Sequence, residues 1–316
     1  MGIQQYNAFS MHISILSRAF NLYSTQSLYR AGFRRGHKME VIDHQRCNLI
    51  IEKNLPQVYF EGRRINDVDA IIPRVGASVT SYGATVIKQF ELMNVFTSTR
   101  SDALLQSRDK LRSLQKLSTS DIGVPKTIIV NNLEDLPQLI RTLGPPPFVI
   151  KLLEGTHGAG VILAESTNAA ISIVEAFHKI NQKVLVQEFI EEASGADIRA
   201  IVVGGKVVAT MKRQAPKGEF RSNLHRGATA IPIILTEEEE KIVKKSARLM
   251  GLDVAGVDLL QSKRGPLIME VNASPGLEGI EATTRVDVAG EIIDFVVQKV
   301  KKISAYQREQ RWKVKR

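Results

Sequence analysis

Short apolar runs alternate with amphipathic stretches along the chain, a pattern that argues for an α/β protein. HISILS (12–17) predicts a strand, followed by a helix from about Thr25 to Arg35 that closes at Gly36. KMEVID then reads as a second strand and DVDAIIPRV (67–75) as a third, which suggests a small open sheet with helices packed on it. A second unit begins near Ser101 with a long amphipathic helix through DKLRSLQKL, stopped by Gly123-Val124-Pro125. TIIV, a helix ending at Gly144 and the strand FVIKLLE complete its front half.

A third unit starts near KVLVQEFI (183–190). Within it, IRAIVVGGKVVAT reads as a hairpin, because Gly204 and Gly205 tolerate the positive φ of a tight turn between two β-branched runs. Thr236 and Glu239 form a capping-box pattern at the start of a helix. GVDLL and PLIMEVN form a second hairpin across QSKRG, and a last helix runs from about Val288 into a basic tail. The expected division is 11–100, 101–185, 186–303 and a tail at 304–316.

Composition narrows the class. With 43% hydrophobic and 24% charged residues, the 316-residue chain reads as a globular protein with a sizeable core. No apolar run approaches the ~18 residues that span a bilayer, so no membrane partner is expected. The opening MGIQQYNAFSMHISILSR lacks the pattern of a secretory signal, and Tyr6 stands where a myristoylation signal needs Ser or Thr. The first ten residues read as an added extension. Cys47 is alone, which excludes an internal disulfide and a cysteine-based zinc cluster and fits a reducing, cytoplasmic setting. Residues 299–316 carry eight Lys or Arg against Glu309, a balance of +7 out of the chain's +10. The body is therefore only mildly basic. The tail is either a solvated helix end or a segment attracted to an acidic partner such as RNA.

The chemistry concentrates in GVDLLQSKRGPLIMEVNASPGLEG (256–279). Glu270 and Asn272 are two apart on a strand, so they share a face, and Asp258 on the preceding strand can oppose them. Two carboxylates and an amide oxygen, with no His or Cys nearby, suit a hard cation, Mg²⁺ or Mn²⁺. In VIKLLEGTHGAGV (149–161), Lys151 sits inside an apolar strand, where an unpaired ammonium is costly, so an anion or a cleft must be near. Gly155, Gly158 and Gly160 allow a loop whose amides close over phosphates, although the sequence is neither a Walker A motif nor a dinucleotide fingerprint. GEFRSNLHRGA (218–228) supplies Arg221, Asn223, His225 and Arg226, and Asp197 and Arg199 share one face of a strand. Lys110 lies near the start of a helix, and the six histidines show no metal-ligand spacing.

Taken together, ISILSR, RDKLRSLQ, VIKLLEGTHGAGV, GEFRSNLHRGA, DVAGVDLL and MEVNASPGLEGIE resemble the ATP-grasp superfamily. Within it, the chain is similar to the RimK-type ligases that add glutamate to a ribosomal protein, from Met11 to about Val300. The resemblance implies an ATP-grasp fold, with an N-terminal open-sheet domain and two subdomains clasping ATP beneath a lid at 155–160. It implies that Lys110 and Lys151 contact phosphate, that Glu188 and Phe189 form the adenine hinge through backbone groups, and that Asp197 binds the ribose side. Arg221, Ser222 and Asn223 would lie on the phosphate side, with Arg221 catalytic, and Asp258, Glu270 and Asn272 would hold two Mg²⁺ ions. Phe189 departs from the Tyr common at that position, which a backbone contact tolerates.

The implied reaction joins L-glutamate to the C-terminus of a small-subunit ribosomal protein through an acyl phosphate, in a cytoplasmic homo-oligomer; the basic tail lies outside the resemblance, and its charge suits a contact with the ribosome. The cation that recognises glutamate is expected among Arg199, Arg221 and Arg226. Two other readings stay open: a related ligase acting on a small cofactor or carrier protein, and a ribosome-binding factor switched by ATP.

Overall fold

The computed structural model describes residues 10–153 and 160–314, with side chains through Ile303. Gly155 and Gly158 of the expected lid, the first nine residues, and the tail side chains including Trp312 lie outside the described residues.

The first unit is a parallel sheet with helices on it, as the apolar spacing predicts. Strand β1 (His12–Leu16), helix α1 (Tyr23–Arg34) and strand β2 (Lys38–Ile42) form the first crossover. Then come three strands that the hydrophobic pattern did not reveal, β3 (Cys47–Ile50), β4 (Gln57–Phe60) and β5 (Arg63–Arg64), which make a small antiparallel sheet. Each is too short for period-two alternation to stand out. Strand β6 (Ala70–Pro73), helix α2 (Thr80–Leu92) and strand β7 (Phe96–Thr97) complete the parallel sheet, in the order β2-β1-β6-β7. The strand order reverses between β1 and β6. In open sheets of this kind a crevice forms at the carboxyl ends on either side of that switch.

The single long helix expected after Ser101 is two helices, α3 (Ser101–Arg108) and α4 (Lys110–Ser118). Asp109 breaks them: its backbone is extended (φ −81°, ψ 99°), and its carboxylate accepts a bond from the Arg112 N–H as an N-cap. The cap turns the chain so that Lys110 opens α4. Next come β8 (Thr127–Ile129), α5 (Leu136–Thr142), β9 (Phe148–Leu152), β10 (Val161–Ala164), α6 (Thr167–Lys179) and β11 (Val184–Glu188). The four strands form an antiparallel sheet in the order β10-β9-β11-β8, with its own core of Phe148, Ile150, Val186, Ile140 and Val174. Strand β11 pairs with β9 and β8, so the boundary expected at 185/186 falls inside a strand of the central sheet. A strand that ends one unit and leads into the next carries no sequence mark of its allegiance.

The third sheet is antiparallel, in the order β14-β13-β12-β15-β16. It is built from β12 (Ala196–Val203), β13 (Lys206–Gln214), β14 (Thr229–Pro232), then α7 (Glu237–Leu249), β15 (Val254–Ser262) and β16 (Gly265–Asn272). Thr236 and Glu239 close a full capping box on α7. Helix α8 (Glu278–Thr284), only seven residues long and not foreseen, precedes α9 (Val288–Val314). One core joins Ile13 and Ile15 of β1, Leu28 of α1 and Ile201 of β12 to Ile292, Ile293 and Val296 of α9. A second joins Leu16, Phe90, Leu104 and Leu117 to Val257, Leu259 and Val271. The N-terminal sheet is thereby fixed against the third sheet, and the crevice beside β1 opens toward β15 and β16.

The β12–β13 turn yields a test. Gly204 has φ +58° and Gly205 φ +81°, as a tight hairpin requires, but they differ in space. A methyl group on Gly204 would lie 2.6 Å from the Phe295 ring of α9, while one on Gly205 meets nothing within 4 Å. Gly205→Ala should therefore cost about 1–2 kcal/mol from backbone strain alone. Gly204→Ala should cost about 1–3 kcal/mol more through overpacking. Urea unfolding of both variants checks this, and equal losses would contradict the contact between turn and helix.

Candidate active site

The site is organised by one row of charged side chains across the third sheet. Strand register puts Asp197 opposite Arg213, Arg199 opposite Asp258, and Asp258 opposite Glu270. Asp258 pairs with Glu270 while Leu259 pairs with Ile268, so Met269 is a bulge residue. Asn272 follows opposite Gly256. Gly256 has a specific reason: a methyl group there would sit 2.7 Å from Pro275, so glycine lets the Asn272–Pro275 turn fold back over the sheet.

Bidentate geometry locks the row. Arg199 donates to both oxygens of Asp258, Nε to Oδ1 at 2.8 Å and Nη2 to Oδ2 at 2.6 Å. Arg213 donates from Nε to Asp197 Oδ1 at 2.7 Å, bonds Asp197 Oδ2 as well, and lies 3.2 Å from Asp258 Oδ2. Asp197, Arg213 and Asp258 are each only 4% exposed, so these charges must neutralise one another. Burial works to raise the Asp258 carboxyl, but Arg199 and Arg213 overcome it and hold Asp258 below the ordinary carboxylate range. Burial wins at Asp197, whose carboxyl is pushed up despite its bonds to Arg213 and to the Ser222 side chain.

Cations from the second unit converge on the open end of this row. Lys110 donates to the carbonyl oxygens of Leu152 and Leu153 at 2.9 and 3.0 Å. Burial lowers the Lys110 and Lys151 ammonium groups, and the Glu270 carboxylate opposes the fall in each. Lys151 also feels Asp197 and Asp258, so β9 faces the charge row from across a cleft. Arg108, at the end of α3, is likewise lowered by burial and drawn back by Glu270. Glu270 itself is exposed and accepts no hydrogen bond from the described residues, and the Asn272 amide nitrogen is buried without a partner.

Among the described residues, no three His, Cys, Asp or Glu side chains gather in a way that could hold a metal. The oxygen-bearing side chains at the open end of the row are Asp258, Glu270 and Asn272. The set fits: Glu270 and Asn272 have open acceptor positions, and Asp258 Oδ1 keeps a lone pair beyond its single bond from Arg199.

The remaining expected residues are engaged differently. Arg221 forms a bidentate pair with Glu219 at 3.0 and 2.7 Å, and it reaches the Val161 carbonyl of β10 at 3.4 Å. Its bonds pull the Glu219 carboxyl down to about 2. Arg226 lies 4.0 Å from the same carboxylate, so Arg199, Arg221 and Arg226 all face acids of the chain itself. Asn223 precedes the short turn Leu224–Arg226 without a side-chain cap bond. Glu188 spends its backbone N–H on the Lys126 carbonyl, and its carboxylate accepts from Lys126 N and Arg264, both at 2.6 Å. Phe189 is half-buried beside it. Arg213 was missed from sequence. Its signal was a charged residue at an apolar-face position of a strand, two after the buried Met211.

A family model described as RimK-like ATP-grasp domain matches residues 107–296, and one described as RimK PreATP-grasp domain matches 11–104. The probable alpha-L-glutamate ligase of Aliivibrio salmonicida is 56% identical over 286 residues, 90% of this chain and 95% of that protein. The solved ATP-grasp ligase PsnB, complexed with a phosphomimetic variant of minimal precursor, Mg and ADP, has a TM-score of 0.72 at 20% identity. That match covers 92% of this chain and 99% of PsnB. The RimK domain protein ATP-grasp from Sphaerobacter thermophilus has a TM-score of 0.67 at 23% identity, over 90% and 99% of the two chains. The two structures establish the fold as ATP-grasp.

The charge row predicts its own failure. Arg213→Met leaves Asp197 without its ion-pair partner and Asp258 with Arg199 alone, which should cost roughly 3–5 kcal/mol at neutral pH. Without Arg213, the Asp197 pKa in the folded state stands further above its unfolded value. The deficit is then full above that folded value and shrinks as pH falls through it, because protonation removes the uncompensated charge. Urea unfolding at neutral and mildly acidic pH checks this, and a deficit independent of pH would contradict it.

Proposed function

We propose, because this chain belongs to the RimK-like ATP-grasp family and is an ATP-dependent ligase, that it joins the amino group of L-glutamate to a protein's C-terminal carboxylate. The acceptor we favour is a small-subunit ribosomal protein, approached with help from the basic tail at 304–316. The observation that carries the reading is the convergence of Lys110, Lys151 and Arg199 on Glu270, beside Asp258 and Asn272. That cationic cleft around the exposed Glu270 carboxylate is what a polyphosphate with divalent ions needs. A single lysine ~4 Å from a phosphate charge contributes about 4 kcal/mol at an effective dielectric of ~20.

In this mechanism the acceptor carboxylate oxygen attacks the γ-phosphorus of ATP, the bond to the bridging oxygen breaks, and ADP leaves. The amine of glutamate then attacks the acyl carbon of the acyl phosphate, phosphate departs, and the nitrogen loses a proton. Lys110 and Lys151 hold the phosphates in line and neutralise charge as it shifts toward the leaving oxygen. Arg221, Ser222 and Asn223 lie on the phosphate side, Asp197 lies on the ribose side, and the segment at Glu188–Phe189 borders the adenine. Asp258, Glu270 and Asn272 would hold Mg²⁺ or Mn²⁺, two ions in our reading, which when bound screens the phosphate charges and polarises the transferred group.

Purified protein incubated with ATP, Mg²⁺, ribosomes and labelled glutamate should transfer label to one small-subunit protein, located by mass spectrometry. No labelled chain would sink the ribosomal acceptor. Glu270→Gln should abolish ADP release while retaining the thermal midpoint, and turnover at saturating Mg²⁺ would remove Glu270 from the centre.

The lysines predict a pH effect with a definite sign. Burial lowers Lys151, and a bound phosphate favours its charged form. Nucleotide binding should therefore take up protons on the alkaline side, below the ordinary lysine range, and affinity should fall as pH rises through the lowered value. Calorimetry in buffers of different ionisation enthalpy reads the uptake, which Lys151→Met should remove.

A further inference from the structure

Two arginines at the switch-point crevice have no assigned role. Arg74 leaves β6 at its carboxyl end, where its backbone N–H bonds the Leu16 carbonyl of β1 at 2.8 Å. Its guanidinium donates to the Pro275 carbonyl at 2.7 Å, in the turn after Asn272. Arg108 donates to the Val75 carbonyl at 2.6 Å, which ties it to the residue next to Arg74, and its Nε is buried with no partner. Neither guanidinium has a carboxylate at ion-pair distance among the described residues. They stand close enough that Arg108 disfavours the charge on Arg74, while Glu270 draws on Arg108.

Two adjacent cations that repel each other, half-buried and bonded only to carbonyls, are costly unless an anion completes them. The three arginines first considered for glutamate already face acids of the chain itself. An incoming glutamate keeps both carboxylates through the reaction, one per guanidinium. The acceptor has a single reacting carboxylate, and its charge is lost on phosphorylation. The position also suits the donor, since the crevice lies across the Ser274–Pro275 turn from Glu270 and Asn272.

We propose that Arg74 and Arg108 form the pocket that binds the two carboxylates of the incoming L-glutamate and selects it over amino acids with one carboxylate. The proposal rests on the glutamate-ligase reading above, and the following test separates the two.

L-glutamate and L-glutamine are titrated calorimetrically into the full chain preloaded with Mg²⁺ and a non-hydrolysable ATP analogue. Losing one charge-assisted pair should weaken glutamate about ten- to a hundredfold in Arg108→Gln and Arg74→Gln. Analogue affinity should stay unchanged, which also reports that the variants fold. Arg108→Lys, which keeps the charge without the fork, should fall between. Glutamine should bind wild type weakly, and one of the two Gln variants, the one that has lost the partner of the side-chain carboxylate, should no longer distinguish it from glutamate. Wild-type glutamate affinity in both Gln variants would overturn the pocket and leave the ligase reading standing. A loss confined to acceptor affinity would assign the arginines to the acceptor and overturn the proposal. Wild-type protein that binds the analogue but no glutamate would overturn the donor reading, and the pocket with it.

Discussion

The constraint on which the rest of this molecule depends is the burial of Asp197 and Asp258 on adjacent strands. Two carboxylates with 4% exposure each cannot remain ionised in a sheet without cations placed between them. Arg213 stands opposite Asp197 and Arg199 opposite Asp258, so each buried acid has a cation on the neighbouring strand. The Met269 bulge then brings Glu270 to the end of the row, where it is exposed and accepts no bond from the described residues. A neutralised interior and an open outer carboxylate together make a rigid platform with one reactive edge.

The other two units serve that edge. The central sheet has a core of its own, yet it presents Lys151 toward the row, while the Asp109 cap positions Lys110 against the start of the segment that follows β9. The N-terminal sheet is fixed against the third sheet through α9, which brings its switch point to the Ser274–Pro275 turn. Arg264 to Glu188, and Ile268 N–H to the Gly123 carbonyl at 2.7 Å, join the central and third sheets at the opposite end. Each unit thus contributes cations to one cleft that none of them could form alone.

Much of this was legible in the chain. Alternation in IRAIVVGGKVVAT and PLIMEVN gave the hairpins and put Glu270 and Asn272 on one face, because side-chain direction in a strand has a strict period of two. The capping box at Thr236 was readable for the same local reason. Long-range pairing was not. Nothing in ATMKRQ says that Arg213 lies beside Asp197, since that depends on which strands become neighbours. Nor does anything in DVDAIIPRV or RDKLRSLQ say that Arg74 and Arg108 come together, which depends on the same long-range packing. The expected boundary at 185/186 cuts through β11, because a boundary strand looks the same from either side.

The central claim is that this cleft activates a carboxylate by phosphorylation and passes the acyl group to an amine. Its most direct test uses an acceptor peptide whose C-terminal carboxylate carries heavy oxygen. The peptide copies the chain that gains glutamyl residues and is incubated with ATP, Mg²⁺ and glutamate. The account predicts one heavy oxygen in the inorganic phosphate released with the first glutamyl transfer to each peptide, because that atom forms the bond to phosphorus and leaves with it. Glutamyl transfer with unlabelled phosphate would contradict it.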